Sequence, residues 1–146
     1  MIKKIFIIFF FITACGYQPI YIKKNEIKFS EIIISGDKQI NRKILSLLSI
    51  KKDNNNNIKS QILIESNKNI IVVSKDTKGQ PASYQTILQI KLSITENNRL
   101  IKTKTFSEDF TYNNIENKYD LSTYQNDVEN NLINKIVEDI IIFLNL

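Results

Sequence analysis

The stretch ASYQTILQIKLSIT, Ala82 to Thr95, decides the fold class. Ala82, Tyr84, Leu88, Ile90, Leu92 and Ile94 fall on one side of an extended chain, and Ser83, Gln85, Gln89, Lys91, Ser93 and Thr95 on the other; only Thr86 and Ile87 interrupt the alternation. A period of two sustained over this length marks a β-strand with one dry and one wet face. Such a strand belongs to a sheet covered on one side only, as antiparallel sheets commonly are.

Working outward, Arg99 to Tyr112 reads as the hairpin partner of this strand. A plain two-residue turn at Asn97 and Asn98 would put Leu100, Phe106 and Phe110 on the wet face, because a one-residue slip flips every side chain. A three-residue loop or a single bulge moves all three to the dry face, and Asn tolerates the left-handed backbone that such a connection needs. On the other side, Ile58 to Ser74 reads as a strand with a bulge around Ser66 to Asn69, joined to the central strand by the loop Lys75 to Ser83, KDTKGQPAS.

The flanks supply the cover. Ile27 to Ser35 is rich in β-branched residues and stops at Gly36, so it reads as one further strand. Asp37 can cap a helix whose Ile40, Ile44, Leu47 and Leu48 share one face, ending in a loop from Lys51 to Asn57. Near the C-terminus Leu121, Tyr124, Val128, Leu132, Ile136, Ile140 and Leu144 form a helical stripe widened by Ile133, Val137 and Ile141. Ser122 with Gln125 fits a capping box, and Asp127 and Glu129 would lie near the positive end of the helix dipole. The expected fold is α+β: two helices packed on one face of a four-stranded, mostly antiparallel sheet, in the order β-α-β-β-β-α.

Composition narrows the chemistry. The chain has 146 residues, net charge +5, one cysteine, three glycines and no histidine. Without histidine the usual general base, the Ser-His and Cys-His pairs and the commonest zinc ligand are missing. Glycines at 16, 36 and 79 are too scattered to cradle a phosphate. Pairs such as Glu108 with Asp109 read as a solvated strand end. No enzyme, cofactor or metal site is expected, and the charge excess is too small and dispersed for nucleic acid. Binding or assembly is the expected task.

The N-terminus gives the compartment. Lys3 and Lys4 precede the apolar run IFIIFFFI, Ile5 to Ile12, and the small residues Thr13 and Ala14 lead to Cys15. This is signal-peptide grammar, on a stretch short of the ~20 apolar residues a spanning helix needs. Ile12 to Cys15 resembles the bacterial lipobox, in which cleavage precedes a cysteine carrying a diacylglyceryl thioether. An ordinary secretory signal with a free thiol and an uncleaved anchor are the alternatives. On the lipobox reading residues 1–14 are the signal peptide, 15–25 a lipidated tether and 26–146 a single domain. Removing 14 residues from 146 leaves 132, and the loss of Lys3 and Lys4 lowers the net charge from +5 to +3. Gly16 rather than Asp after the cysteine favours sorting to the outer membrane.

The lipobox, the start CGYQPIY (Cys15 to Tyr21), one strand and a helix, three meander strands with a small-residue loop before Ala82, and a closing helix together resemble the LptE family of lipopolysaccharide-assembly lipoproteins. The resemblance implies a periplasmic-side lipoprotein, held in the inner leaflet of the outer membrane by three acyl chains on Cys15. It implies a protein that plugs and helps assemble the LptD β-barrel and binds lipopolysaccharide. Lys75 and Lys78 are then candidates for phosphate contacts, with Gly79 and Pro81 shaping their loop. Arg99, Lys102 and Lys104 form a second basic group nearer the anchor, read as a solvated strand face or a headgroup contact. A pilotin-like accessory of another envelope complex and a lipid carrier are the alternative functions.

Overall fold

The computed structural model describes residues 26–53 and 58–144. The expected signal peptide and tether, with Cys15 between them, and the run Asn54 to Asn57 lie outside the described residues. Within them the order is β1 (Ile27–Phe29), β2 (Glu31–Gly36), α1 (Lys38–Leu47), β3 (Ile50–Lys52), β4 (Ser60–Lys75), β5 (Pro81–Glu96), β6 (Arg99–Asn113) and α2 (Lys118–Leu144). The main sheet runs β2-β4-β5-β6, with β2 parallel to β4 and the other neighbours antiparallel. Two helices on a four-stranded, mostly antiparallel sheet are the expected α+β fold.

The expected first strand is two. At Ser30 the chain breaks, its N–H and hydroxyl both donating to the Ser60 carbonyl at 2.8 and 2.9 Å. Before the break β1 pairs in parallel with β3, and after it β2 pairs with β4. Ile50–Lys52 is therefore a strand of a separate two-stranded sheet, although Lys51 and Lys52 were expected in a loop. A three-residue strand is too short to show a period.

Gly36 makes the crossover from β2 into α1 possible. It holds φ +84°, and a Cβ there would sit 1.8 Å from the Ser66 carbonyl oxygen. Asp37 then caps α1 by accepting from the N–H groups of Gln39 (2.8 Å) and Ile40 (3.1 Å). Ile40, Ile44 and Leu48 are buried, as their spacing predicts, with Leu47 packed against the same core. The wholly buried Asn41 donates from Nδ2 to the Ser35 carbonyl at 2.7 Å, tying α1 to the end of β2. Ser49, just past the helix, holds φ +54°, a position where glycine is the usual residue.

The central strand keeps its faces. Leu88, Ile90 and Leu92 are fully buried under the helices beside Ile62 and Ile64 of β4. Thr86 stays on this face because its hydroxyl meets the Tyr112 hydroxyl at 3.1 Å. The β4-β5 ladder is continuous from Ser60 opposite Glu96 to Val72 opposite Tyr84, so the bulge expected at Ser66 to Asn69 is absent; the irregularity comes later, around Val73.

The β5-β6 hairpin has a bulge. Asn97 and Asn98 take φ +49° and +61°, a two-residue turn of the I′ kind, and the register slips between Thr95 opposite Leu100 and Ile94 opposite Lys102. Ile101 is the extra residue. Beyond it Phe106 is buried opposite Ile90, and Phe110 reaches the same face opposite Thr86. Phe110 is nonetheless 44% exposed. Leu100 departs from expectation: it precedes the slip and stays on the wet face. Lys102, half-buried, and Lys104, exposed, lie on the helix side, their ammonium groups over the Phe143 and Phe106 rings at 5.6 and 4.9 Å.

Helix α2 begins a turn earlier than its expected capping box. Asn117 is the cap, accepting from the N–H of Tyr119 at 2.9 Å, which leaves Ser122 inside the helix and Asp127 and Glu129 beyond its first turn. Val128, Leu132, Ile133, Ile136, Val137 and Ile140 are buried in the shared core. Burying side chains of this size contributes about 1.5–3 kcal/mol each, the main hold of α2 on the sheet. Glu129 is the exception: its side chain, 8% exposed, receives Lys43 of α1 at 2.7 Å and Lys68 of β4 at 2.6 Å. Burial alone would raise its carboxyl; the two ammonium hydrogen bonds and charges outweigh that and hold it below the usual carboxylate range.

These features give opposed expectations in denaturant titrations. Gly36→Ala, which forces a Cβ into backbone, is expected to lose at least ~3 kcal/mol, whereas Ser49→Gly relieves a left-handed residue and gains about 0.5–1 kcal/mol. Because the Glu129 carboxyl is depressed in the folded state, its contribution is present above the unfolded pKa near 4.5 and fades as pH falls through the folded value. Glu129→Gln should be about 1–3 kcal/mol less stable at neutral pH and show a shallower loss on acidification. Equal acid slopes for the two proteins would remove this assignment.

Candidate functional site

The far end of the β4-β5 hairpin carries the predicted site residues. Strand β2 ends its pairing at Gly36 opposite Ser66, so from Asn67 onward β4 has no outer neighbour among the described residues. The change shows in burial: residues 60–66 are buried or half-buried, and every residue from 67 to 80 is exposed. Ile70, Ile71, Val72 and Val73 are therefore exposed aliphatic side chains on a strand edge, alternating between its two faces. On the helix side this end is braced by aromatic contacts, Tyr84 to Tyr112 at 6.0 Å and Tyr112 to Tyr124 at 5.5 Å.

Lys75 closes β4 and Lys78 stands in the connecting turn, both exposed. Asp76 organises the turn: its carboxylate accepts from the N–H groups of Lys78 and Gln80, each at 2.8 Å, and its own N–H donates to the Gln80 carbonyl at 2.8 Å. Gly79 takes φ +78° with open space where a Cβ would stand, so its role is conformational. Pro81 is the first residue of β5 and not part of the turn. Asn114 holds it from the other side, donating to the Pro81 carbonyl at 2.9 Å.

The turn thus fixes a short cationic tip beside an aliphatic edge. That combination suits an amphiphile bearing phosphate and hydrocarbon, since an ammonium is a compact partner for phosphate. Sequence reasoning found the lysines and missed the aliphatic edge, because a β-branched run reads equally well as a buried strand.

Two other surfaces bear on function, a groove that no local pattern announced and the wet face of the sheet. Between the outer strand β6 and α2 lies a groove of about 410 Å³ lined by Phe110, Tyr124, Val128, Leu132, Lys135 and Glu138, among others. It explains why Phe110, on the predicted face, is only partly covered. The opposite face of the sheet is uncovered and mostly polar, laced by Ser93 with Thr103 at 2.9 Å, Gln85 with Asp109 at 2.7 Å and Lys91 with Glu65 at 3.0 Å, with Ile33, Leu63, Ile71 and Ile87 set among them. The two ends of the molecule are set by register. Ser30 meets Ser60, and Ser60 faces Glu96, so the first described residues lie at the end of the sheet opposite the 76–80 turn. Sixteen residues of β4 at ~3.3 Å each separate those ends by about 50 Å.

Asp76→Ala should loosen the turn without disturbing the core. Hydrogen exchange at Lys78 and Gln80 is expected to speed up while global stability falls by only about 0.5–1 kcal/mol. Unchanged exchange at those amides would show that the carboxylate does not order the loop.

No family model and no curated protein matches the chain. Among solved structures it is similar to rare lipoprotein B from Shewanella oneidensis, with TM-score 0.57 and 15% identity over 79% of this chain and 93% of that one. A lipoprotein B from Nitrosomonas europaea matches with TM-score 0.57 and 10% identity, over 82% and 86% of the two chains. A minor lipoprotein from Acinetobacter baumannii matches with TM-score 0.54 and 12% identity, over 78% and 92%. At these identities the likeness is one of fold, and the proteins that share the fold are bacterial lipoproteins.

Proposed function

We propose that this chain is a lipid-anchored lipoprotein of the Gram-negative outer membrane, facing the periplasm, that plugs and helps assemble an LptD-like β-barrel and binds lipopolysaccharide for delivery to the outer leaflet. The observation that carries the reading is the tip, where Lys75 and Lys78 adjoin the exposed aliphatic edge Ile70 to Val73, at the end of the sheet remote from the tether. Lipopolysaccharide presents phosphates beside acyl chains, which is the chemistry such a tip matches. The polar open face of the sheet adds support, because its serine, threonine and glutamine side chains suit the hydrophilic interior of a large barrel. So does the lipobox ending in Cys15, and the bacterial lipoproteins that share the fold agree with an anchored envelope protein.

A lipid-carrier reading has one observation in its favour, the groove between β6 and α2. The groove is open and rimmed by Asp127, Lys135 and Glu138, a poorer enclosure for an acyl chain than a carrier's apolar cavity. An accessory of a different envelope complex would use the same anchor and the same polar face.

Isolation from native membranes in mild detergent, with mass spectrometry of the N-terminus and of whatever stays bound, separates these readings. Acylated Cys15 and a stoichiometric LptD-like barrel are expected. An acylated chain with another partner, or with none, would overturn the plug reading. In a binding assay with purified lipopolysaccharide, replacing Lys75 and Lys78 with Glu should weaken affinity by about tenfold per lysine. Asp76→Ala serves as the comparison for mere loosening of the turn.

A further inference from the structure

The end of the molecule where the chain leaves the tether carries a second amphipathic surface. The Asn97-Asn98 turn projects there, and the bulge at Ile101 decides what it shows: Leu100 is 60% and Ile101 55% exposed. The last turns of α2 pack on the same half of the sheet through the contact of Phe143 with Phe106 (5.7 Å between ring centroids). Arg99 precedes Leu100, while Lys102 and Lys104 lie on the helix side of β6 with their ammonium groups over the Phe143 and Phe106 rings. Lys51 and Lys52 stand on β3 of the neighbouring small sheet. The acidic groups at this end are Glu26, which pairs with Lys51 and Lys28, Glu31 at the start of β2, Asp53 after β3, and Glu96, opposite Arg99.

We infer that this tip docks on an anionic bilayer surface, with Leu100 and Ile101 entering the headgroup region and Arg99 beside them meeting lipid phosphates. Two independent features point to a membrane and not to bulk water. Aliphatic side chains beside cations on a tight turn are the makings of an interfacial anchor, in which burial and attraction to anionic lipid add. The ring contacts hold the Lys102 and Lys104 ammonium groups on the helix side of β6, behind the turn, where they add positive charge to this end of the domain. Position gives the occupant: residue 26, from which the tether runs back to Cys15, lies at this end. The surface rests on the lipoprotein reading only for bringing this end to a membrane; it is independent of the barrel and of the 76–80 turn.

Docking would orient the domain as well as hold it. Lipid chains on a single cysteine leave a domain free to swivel on its tether, whereas a second contact at the hairpin fixes the long axis of the sheet away from the bilayer.

The test uses the full-length chain reconstituted into two kinds of vesicle, phosphatidylcholine alone and equal parts phosphatidylcholine and phosphatidylglycerol, with hydrogen exchange read at residues 98–104. Exchange there is expected to slow by about tenfold in the anionic vesicles only, with α2 core amides unchanged as the control for folding. Arg99→Gln, and separately the pair Leu100→Asp with Ile101→Asp, should abolish that protection. All three positions are exposed, so thermal melting should stay at the wild-type value. Protection equal in both vesicles, or absent from both, overturns the proposal. Co-sedimentation with an unprotected tip sinks this inference and spares the lipoprotein reading; a chain that sediments with neither vesicle overturns both.

Discussion

A single extra residue in β6 determines what the sheet can hold. Ahead of Ile101 the strand follows the register dictated by a two-residue turn, and Leu100 points away from the helices. After it the register has slipped, so Phe106 and Tyr112 face α2 and bury, and Phe110 reaches the margin of the same layer. Without the slip the outer strand would present Ser107, Asp109 and Thr111 to the helices, and a buried carboxylate without a partner is far more costly than one in water. A bulge near the turn is the least disruptive place for the correction, because only the two pairs Thr95 with Leu100 and Glu96 with Arg99 lie ahead of it. The same residue that completes the core therefore creates the exposed aliphatic tip.

On the other side of the sheet the constraint is a close approach. Gly36 lets β2 turn into α1 against the backbone of Ser66, and that contact fixes where β2 stops. Because β2 has only six residues and α1 only ten, their cover ends halfway along the sixteen residues of β4. The remainder of β4 is left as an edge, and the fold does little to blunt it: Lys68 and Lys75 flank an aliphatic centre, and the slip near Val73 is its single irregularity. Glu129 stitches this arrangement together, since one buried carboxylate joins α2 to both α1 and β4 at the point where the cover ends. A charge at such a junction is stabilised only when both lysines reach it, which makes the three elements settle together.

Much of this was legible in the residues. Alternation in β5 and the stripe of α2 are long enough that no other period fits, and the demand that Phe106 be buried called for a slip somewhere in the hairpin. Alternation could not place the slip, because a longer turn and a later bulge satisfy Phe106 and Phe110 equally; they differ only at Leu100. The cap of α2 was missed because Asn117 and Ser122 both offer a capping oxygen, and the apolar stripe that would choose between them begins at Leu121, while Tyr119 stays 78% exposed. As for the site, Lys75, Lys78 and Gly79 were visible as turn chemistry. That Ile70 to Val73 would be uncovered depends on where β2 and α1 end, which is a tertiary fact with no local signal.

The molecule that results has a chemical direction. Its two tips both combine aliphatic side chains with cations, yet they are built differently. The 76–80 turn is ordered by a carboxylate acting on backbone amides, and its aliphatics lie along a strand edge, a long surface suited to extended hydrocarbon or to another strand. The 97–98 turn is ordered by backbone handedness alone, and its aliphatics are gathered at one point, backed by lysines resting on aromatic rings. Between them the helices cover one face and a polar lattice finishes the other, so the sheet needs no second layer. An elongated domain with unlike ends and one polar side can meet three environments at once, and each of the three is specified by a different part of the chain.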